Sequence, residues 1–299
     1  MISHTGKAAT VAGYEPRVAS RRITGHIWKW VFFSSTALGI VLLIMLLWSV
    51  FEPGVGWLSW HLVRDMPSRV PEKAGMNSAI WGSIWIVGTS GVVSFILGLG
   101  TAIYLEEYAS QNRWTNILQT NIANLAGVPS IVYGLLGLVV FVDWMHAGRS
   151  VLAGGLTMAL LTMPIVVVSS REAIRAVPLS LRQAAYGVGA TKWQAIRHHV
   201  LPAAFPGIMT GIILAMSRAI GETAPLLAVG GASQVLFNPT GPLSSFMVMP
   251  LQIYNWTGRP QAAFEHLAAA AIIILMVVLL VMNSLAIALR EYFSRKNRW

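Results

Sequence analysis

Cysteine is absent from this chain, which excludes disulfides and thiolate metal ligands and leaves the redox compartment unmarked. Charge is scarce as well. Only 11% of the 299 residues are Asp, Glu, Lys or Arg, against 55% hydrophobic, too little polar surface for a soluble globule of this length. Acidic residues are the scarcer sign, 11 against 21 basic ones, for a formal charge of +10. No Gly-x-x-x-x-Gly-Lys-Ser/Thr loop is present, nor His-Glu-x-x-His, nor Gly-x-Ser-x-Gly. Nucleotide binding by a P-loop is thereby excluded, and an intramembrane hydrolase loses its usual signatures. No cofactor and no metal site are expected.

Present instead are six apolar stretches, near residues 30–51, 79–105, 122–142, 151–170, 203–230 and 267–289. Each is long enough for a hydrocarbon core that takes roughly 20 helical residues to cross. The expected fold is an all-α polytopic membrane protein with six transmembrane helices. Residues 1–27 show no periodicity and are expected to form a loosely ordered cytoplasmic tail, with residues 28–299 as one transmembrane domain. The polar segment before the first stretch is too long for a signal peptide's basic region and no small-residue cleavage pattern follows, so that stretch reads as an anchor.

Alternate assignment of the connecting segments puts fifteen of the 21 Lys and Arg residues on the side of the N-terminus and five on the other, with Arg218 inside a span. Positive charge collects on the cytoplasmic side, so both termini are expected inside, and the net charge needs no nucleic-acid partner. Trp28 and Trp30 lie at one end of the first span and Trp57 and Trp60 just beyond the other, as an aromatic belt in a lipid bilayer would. Residues 238–260 carry Pro239, Pro242, Pro250 and Pro260; they form an outward loop that cannot be one continuous helix.

The inner segment 180–202, SLRQAAYGVGATKWQAIRHHVLP, reads as two short helices joined by a glycine turn. Ser180 with Gln183, and Thr191 with Gln194, are capping-box patterns, and Gly187 and Gly189 interrupt the run between them. Trp193, Ile196 and Val200 share a helical face that leaves Lys192, Gln194, Arg197 and His198 on others. Such an amphipathic helix suits a partner's groove.

Gln183, Ala184 and Ala185, then Gly189, then Leu201 and Pro202 after nine residues and His199 and Val200, resemble the EAA loop of ABC importer permeases. Gln183 stands where Glu is usual and His199 where Ile is usual; Gln serves the capping role as well as Glu does. In that family the loop docks in a cleft of the ATP-hydrolysing subunit. The resemblance therefore implies ATPase coupling for Gln183, Ala184, Ala185, Gly189, Trp193, Arg197, Leu201 and Pro202, within a type I importer permease architecture.

Ionisable groups inside a span cost at least about 2.5 kcal/mol each, so they mark function by default. Arg218 and Glu222 are four residues apart, on one face and about 6 Å apart along a helix axis. Gly207, Gly211, Ala215 and Ala219 form a neighbouring stripe that admits another helix closely. Gly221 and Pro225 weaken the helix at the charged pair. An Arg fork matches two oxygens of an oxyanion. Glu222 has two jobs open to it: balancing Arg218, or accepting the proton of hydrogen phosphate. Mutual pairing, or pairing with a neighbouring subunit, is the plainer alternative. Gly127, Pro129, Ser130 and Gly134 in the third span could line the passage but read first as packing contacts, His198 and His199 as a solvated face, and Glu106 and Glu107 as the inner end of the second span.

The string RAIGETAP, 218–225, looks like the signature of phosphate importer permeases, and its Ala-Pro is more like the PstA type than the PstC type. NLAGVPSIVYGLLGL at 124–138, SREAIRAVP at 170–178 and IYNWTGRPQAAFEHLAAAA at 253–271 extend the resemblance, which covers roughly residue 75 onwards. It implies a permease that passes inorganic phosphate across a bacterial inner membrane, with Arg218 and Glu222 in the substrate passage. The implied partners are a PstC-like sister permease, two copies of a PstB-like ATPase and a PstS-like external phosphate-binding protein. The alternatives are the sister role, another oxyanion, or an autonomous anion channel, which would give the inner helix pair no purpose.

Overall fold

A computed structural model of the chain describes residues 18–110, 112–230 and 234–296. Lys7, Arg17, Arg298 and the expected tail as far as residue 17 lie outside the described residues. All regular structure among the described residues is helical, and the chain divides into two units, residues 1–49 and 50–299.

Helix α1 (Val18–Val55) runs for 38 residues without a break. Residues 18–27 are therefore helical, not a loose tail. Within the first unit its side chains from Ile27 to Trp48 are exposed on every face, as for a helix whose solvent is lipid or a neighbouring chain.

The second unit contains α2 (Trp60–Arg64), a 3-10 turn (Pro71–Lys73), and α3 (Asn77–Ile103), whose end widens into a π turn at Tyr104–Tyr108. Next come α4 (Arg113–Leu125), α5 (Ser130–Gly137) with a π continuation to Trp144, and α6 (Val151–Arg175). They are followed by α7 (Leu179–Gly187), α8 (Lys192–Ala195), α9 (Leu201–Gly221), α10 (Ala224–Val229), α11 (Met249–Thr257) and α12 (Ala262–Lys296). Five helical stretches are long and apolar enough to cross a membrane, or six if the bent pair α4–α5 counts as one.

Helix α6 is the spine, with 67% of its most apolar window buried, and it packs against both α3 and α9. The small-residue stripe on α9 explains one side of that sandwich: a Cβ on Gly207 would lie 2.7 Å from the Cβ of Ala173, and one on Gly211 would run into Ser169. Any larger residue would push the two backbones apart. The hydroxyls of Thr157 and Thr162 on α6 donate to Ala153 O and Met158 O, so they enter the interior already satisfied.

The proline-bearing loop before α12 is folded back into the bundle. Phe246, Met247, Trp256 and Phe264 are fully buried, Met249 N donates to Ser83 Oγ at 2.9 Å, and Ser78 Oγ donates to Val235 O at 2.9 Å. Pro250 sits in the first turn of α11, where its missing N–H costs nothing. Arg259 stacks over the Phe264 ring at 4.2 Å, and burial, helped by nearby Arg69, pulls its pKa below the usual arginine range.

Three expectations need correction. The third span is not one helix: α4 ends at Leu125, α5 starts at Ser130, and the two axes bend by 101°. Gly127 and Pro129 cause this, since proline disfavours helix at the residue before it and withholds its own N–H. The fifth span stops at Gly221 instead of running to 230, and α10 is a separate turn of helix. Ser180 caps nothing, because α7 already begins at Leu179 behind Pro178.

Candidate functional site

Glu222 lies just past the last turn of α9, in extended conformation (φ −77°, ψ 126°), because Pro225 has no N–H to offer the Gly221 carbonyl. It is thus not the next rung of one helical face, as its spacing from Arg218 suggested. The two side chains still meet: Arg218 Nε donates to Glu222 Oε1 at 3.2 Å. Among the described residues the two terminal guanidinium nitrogens of Arg218 make no hydrogen bond. The Arg218 side chain is 43% exposed and Glu222 19%, on the flank of α9 that also exposes Leu214. The cation is therefore presented outward from this chain.

Two backbone breaks converge beside this pair. Helix α5 packs on α10 so closely that a Cβ on Gly134 would lie 2.7 Å from Pro225 Cα. Tyr133, buried next to it, donates its hydroxyl to Leu125 O at 2.8 Å and so satisfies a carbonyl freed at the end of α4. Gly127, Pro129 and Gly134 thus do more than pack; they shape the turn that faces the α9–α10 break. Tyr133 went unnoticed in the sequence, although a Gly-x-Pro in mid-span signalled the break it supports.

At the other end of α9 the inner segment takes a different form from two free short helices. Thr191 and Gln194 form the expected capping box, with Thr191 N donating to Gln194 Oε1 at 2.8 Å. From there α8 passes through a π turn at Ile196–Val200 directly into α9, so 192–221 is one continuous helical stretch of 30 residues. Ala195, Ile196 and Val200 are buried against the bundle, while Trp193 is half exposed. Gly189 has φ +83° and nothing within 4 Å of where a Cβ would be, so the elbow needs glycine for backbone reasons alone.

Around that elbow the structure exposes Gln183, Ala184, Arg197 and His198, buries Ala185, and leaves Leu179, Tyr186, Val188 and Trp193 bare. A cluster of exposed apolar groups at a helix elbow marks an interaction surface. Arg197 also borders a cleft of about 420 Å³ with Leu201, Pro202, Phe95 and Leu99.

The structure gives Glu106 and Glu107 more to do than end a span. Glu106 takes a two-pronged contact from Arg175, Nε at 3.0 Å and Nη2 at 3.2 Å, with Arg171 Nη2 at 3.6 Å. Glu107 accepts from Arg182 Nε at 3.1 Å and Nη2 at 2.7 Å, and Arg182 also donates to Val177 O and Ile174 O. Lys192 lies 4.8 Å from the centre of the Tyr108 ring. Among the described residues no cluster of His, Asp and Glu is disposed to hold a metal ion.

Residues 94–299 match the family model of the binding-protein-dependent transport system inner membrane component. The chain is 34% identical over 256 residues to a phosphate transport system permease protein PstA 1 of Mycobacterium tuberculosis, covering 84% of this chain and 83% of that one. It is 32% identical over 265 residues to a phosphate transport system permease protein PstA of Haemophilus influenzae, covering 88% and 92%. Its fold is similar to a chain of the MetNI methionine ABC transporter in an inward-facing conformation (TM-score 0.59, 14% identity, 73% of this chain and 95% of that). A chain of a bacterial alginate ABC transporter aligns over 90% of this chain and 92% of its own, with TM-score 0.57 and 18% identity.

Proposed function

This chain belongs to the binding-protein-dependent transport system inner membrane component family, and from that premise we propose that the solute it passes is inorganic phosphate. It is a multi-pass permease of an ABC importer and has no ATPase site of its own; permeases of this kind work with ATPase subunits and an external binding protein. Its Pst-type relatives carry phosphate in their names, and this chain supplies a matching group. The observation that carries the reading is Arg218: held through Nε by Glu222, it keeps both terminal nitrogens for two oxygens of an anion. Glu222 either balances Arg218 so that such an anion is not trapped, or accepts the proton of hydrogen phosphate. The partners of this reading are a PstC-like sister permease, two PstB-like ATPase copies and a PstS-like phosphate-binding protein.

Uptake in proteoliposomes tests the substrate. The assembled importer is expected to accumulate labelled phosphate only with ATP and the loaded binding protein. Accumulation by this chain without the ATPase would make it a channel, and preference for another oxyanion would reassign the solute.

The inner segment is assigned to the ATPase through Gln183, Ala184, Ala185, Gly189, Trp193, Arg197, Leu201 and Pro202, of which Ala185 holds the segment to the bundle. The exposed apolar cluster at the elbow supports this docking. Cytoplasmic termini follow from the fifteen-to-five distribution of Lys and Arg. A reporter fused after Arg298 is expected to behave as cytoplasmic; a periplasmic signal would put the elbow on the wrong side for an ATPase.

A further inference from the structure

Helix α7 has a weak apolar hold on the bundle. Leu179, Tyr186 and Val188 face outward, and Ala185 is its only fully buried side chain. What fixes it is the acidic π turn at the end of α3. The Glu107–Arg182 pair is nearly shut off from solvent, with 7% and 12% of the two side chains exposed. Arg182 meanwhile bonds the carbonyls of Ile174 and Val177, at the end of α6 and just beyond it. The neighbouring Glu106 grips Arg171 and Arg175 of α6, and Tyr108 meets Lys192 of α8. Three residues of one turn therefore touch α6, α7 and α8, on both sides of the Gly189 elbow.

Charges in such a dry place are a poor way to gain stability, because apolar side chains of the same volume would hold as well or better. They are a good way to fix a single geometry: Arg182 Nε and Nη2 converge on one oxygen of Glu107 while Nη1 and Nη2 hold two carbonyls, so the guanidinium has little room to slide. π turns inside helices recur at functional positions for a related reason: they set side chains at an angle a regular helix does not allow.

We propose that Glu106, Glu107 and Tyr108 form the joint through which displacement of the ATPase-facing segment is passed into the second and fourth spans, making Glu107 and Arg182 positioning residues for transport. This rests on the docking assigned above. While the joint is closed, α7 and α8 move with α3 and α6; once it is loosened, the elbow and the α8–α9 rod move and α3 and α6 do not follow.

The test uses the assembled importer in proteoliposomes with ATP and phosphate-loaded binding protein, reading phosphate carried per ATP hydrolysed. Glu107→Gln is expected to lower that ratio roughly tenfold, within the usual range of coupling between sites. Assembly, and cross-linking of His198→Cys to the ATPase, should persist; this cysteine-free chain gives that reagent no other target of its own. Glu106→Gln, whose partner Arg175 is half exposed, should assemble even if Glu107→Gln does not, and should lower the ratio by a smaller factor. An unchanged ratio in both variants, or failure of both to assemble, overturns the joint. Loss of the His198→Cys cross-link in the otherwise unmodified importer would instead overturn the docking, and absence of phosphate uptake by the unsubstituted importer would overturn the substrate, so the failures are distinguishable.

Discussion

Alanine at Arg218 is expected to cut phosphate uptake by at least about a hundredfold while leaving the importer assembled. Hydrogen bonds to a charged group are worth about 1.5 to 3 kcal/mol each, and the substitution removes a two-pronged donor from the passage. Assembly should survive because Arg218 is 43% exposed and packs little of the bundle, and because Glu222, left alone, keeps some access to water. Arg218→Lys should retain part of the activity: the ammonium keeps the charge and loses the fork. Glu222→Gln separates the two jobs open to Glu222. If the carboxylate balances charge, the variant binds phosphate too tightly and releases it slowly; if it takes a proton, hydrogen phosphate suffers far more than a fully ionised oxyanion. Should the double variant Arg218→Ala, Glu222→Ala carry phosphate normally, the pair is structural and the substrate role is lost.

Valine at Gly189 is expected to uncouple the importer, so that ATP is hydrolysed without uptake or is not hydrolysed at all. At φ +83° a β-branched residue is an outlier, and strain of about 1 to 3 kcal/mol is released only by swinging the elbow. The usual objection that a larger side chain simply collides does not apply, since open space surrounds the position. Gly189→Asn is the informative partner: asparagine tolerates left-handed backbone and should keep most of the uptake. Equal loss in both variants would mean that the site needs space for the ATPase rather than backbone freedom. Uptake and hydrolysis measured together, with the His198→Cys cross-link as a docking control, decide between these.

Most of the architecture was legible because hydropathy and helical period are local properties. Helices Asn77–Ile103 and Ala262–Lys296 overlap the stretches 79–105 and 267–289 read from hydropathy, and the fifth was expected to weaken where it breaks, at Gly221 and Pro225. The third span misled because its composition is apolar on both sides of the break; only Gly127 and Pro129 signalled the 101° bend. The elbow's positive φ was foreseeable from Gly189, but the merging of α8 into α9 was not, since a π turn leaves no periodicity of its own. Least visible was the ionic joint. Glu106 and Arg175 are 69 residues apart and Glu107 and Arg182 are 75 apart, and no rule of spacing pairs residues at that distance.

The unbroken helical stretch from Lys192 to Gly221 has a further consequence. A rod of 26 rises from Lys192 to Arg218 is about 39 Å long, so a tilt of about 5° displaces its far end by roughly 3 Å, the scale of one hydrogen bond. If Arg218 is the passage ligand proposed above, an anion that it grips in one tilt and releases in the other weighs on the same equilibrium as nucleotide bound to an ATPase at the Lys192 end. Linkage makes that influence mutual: whatever factor the ATPase applies to anion affinity, the anion must apply to the ATPase's grip on the elbow. On the proposed reading the solute is an effector of its own motor, with a single helix as the balance beam.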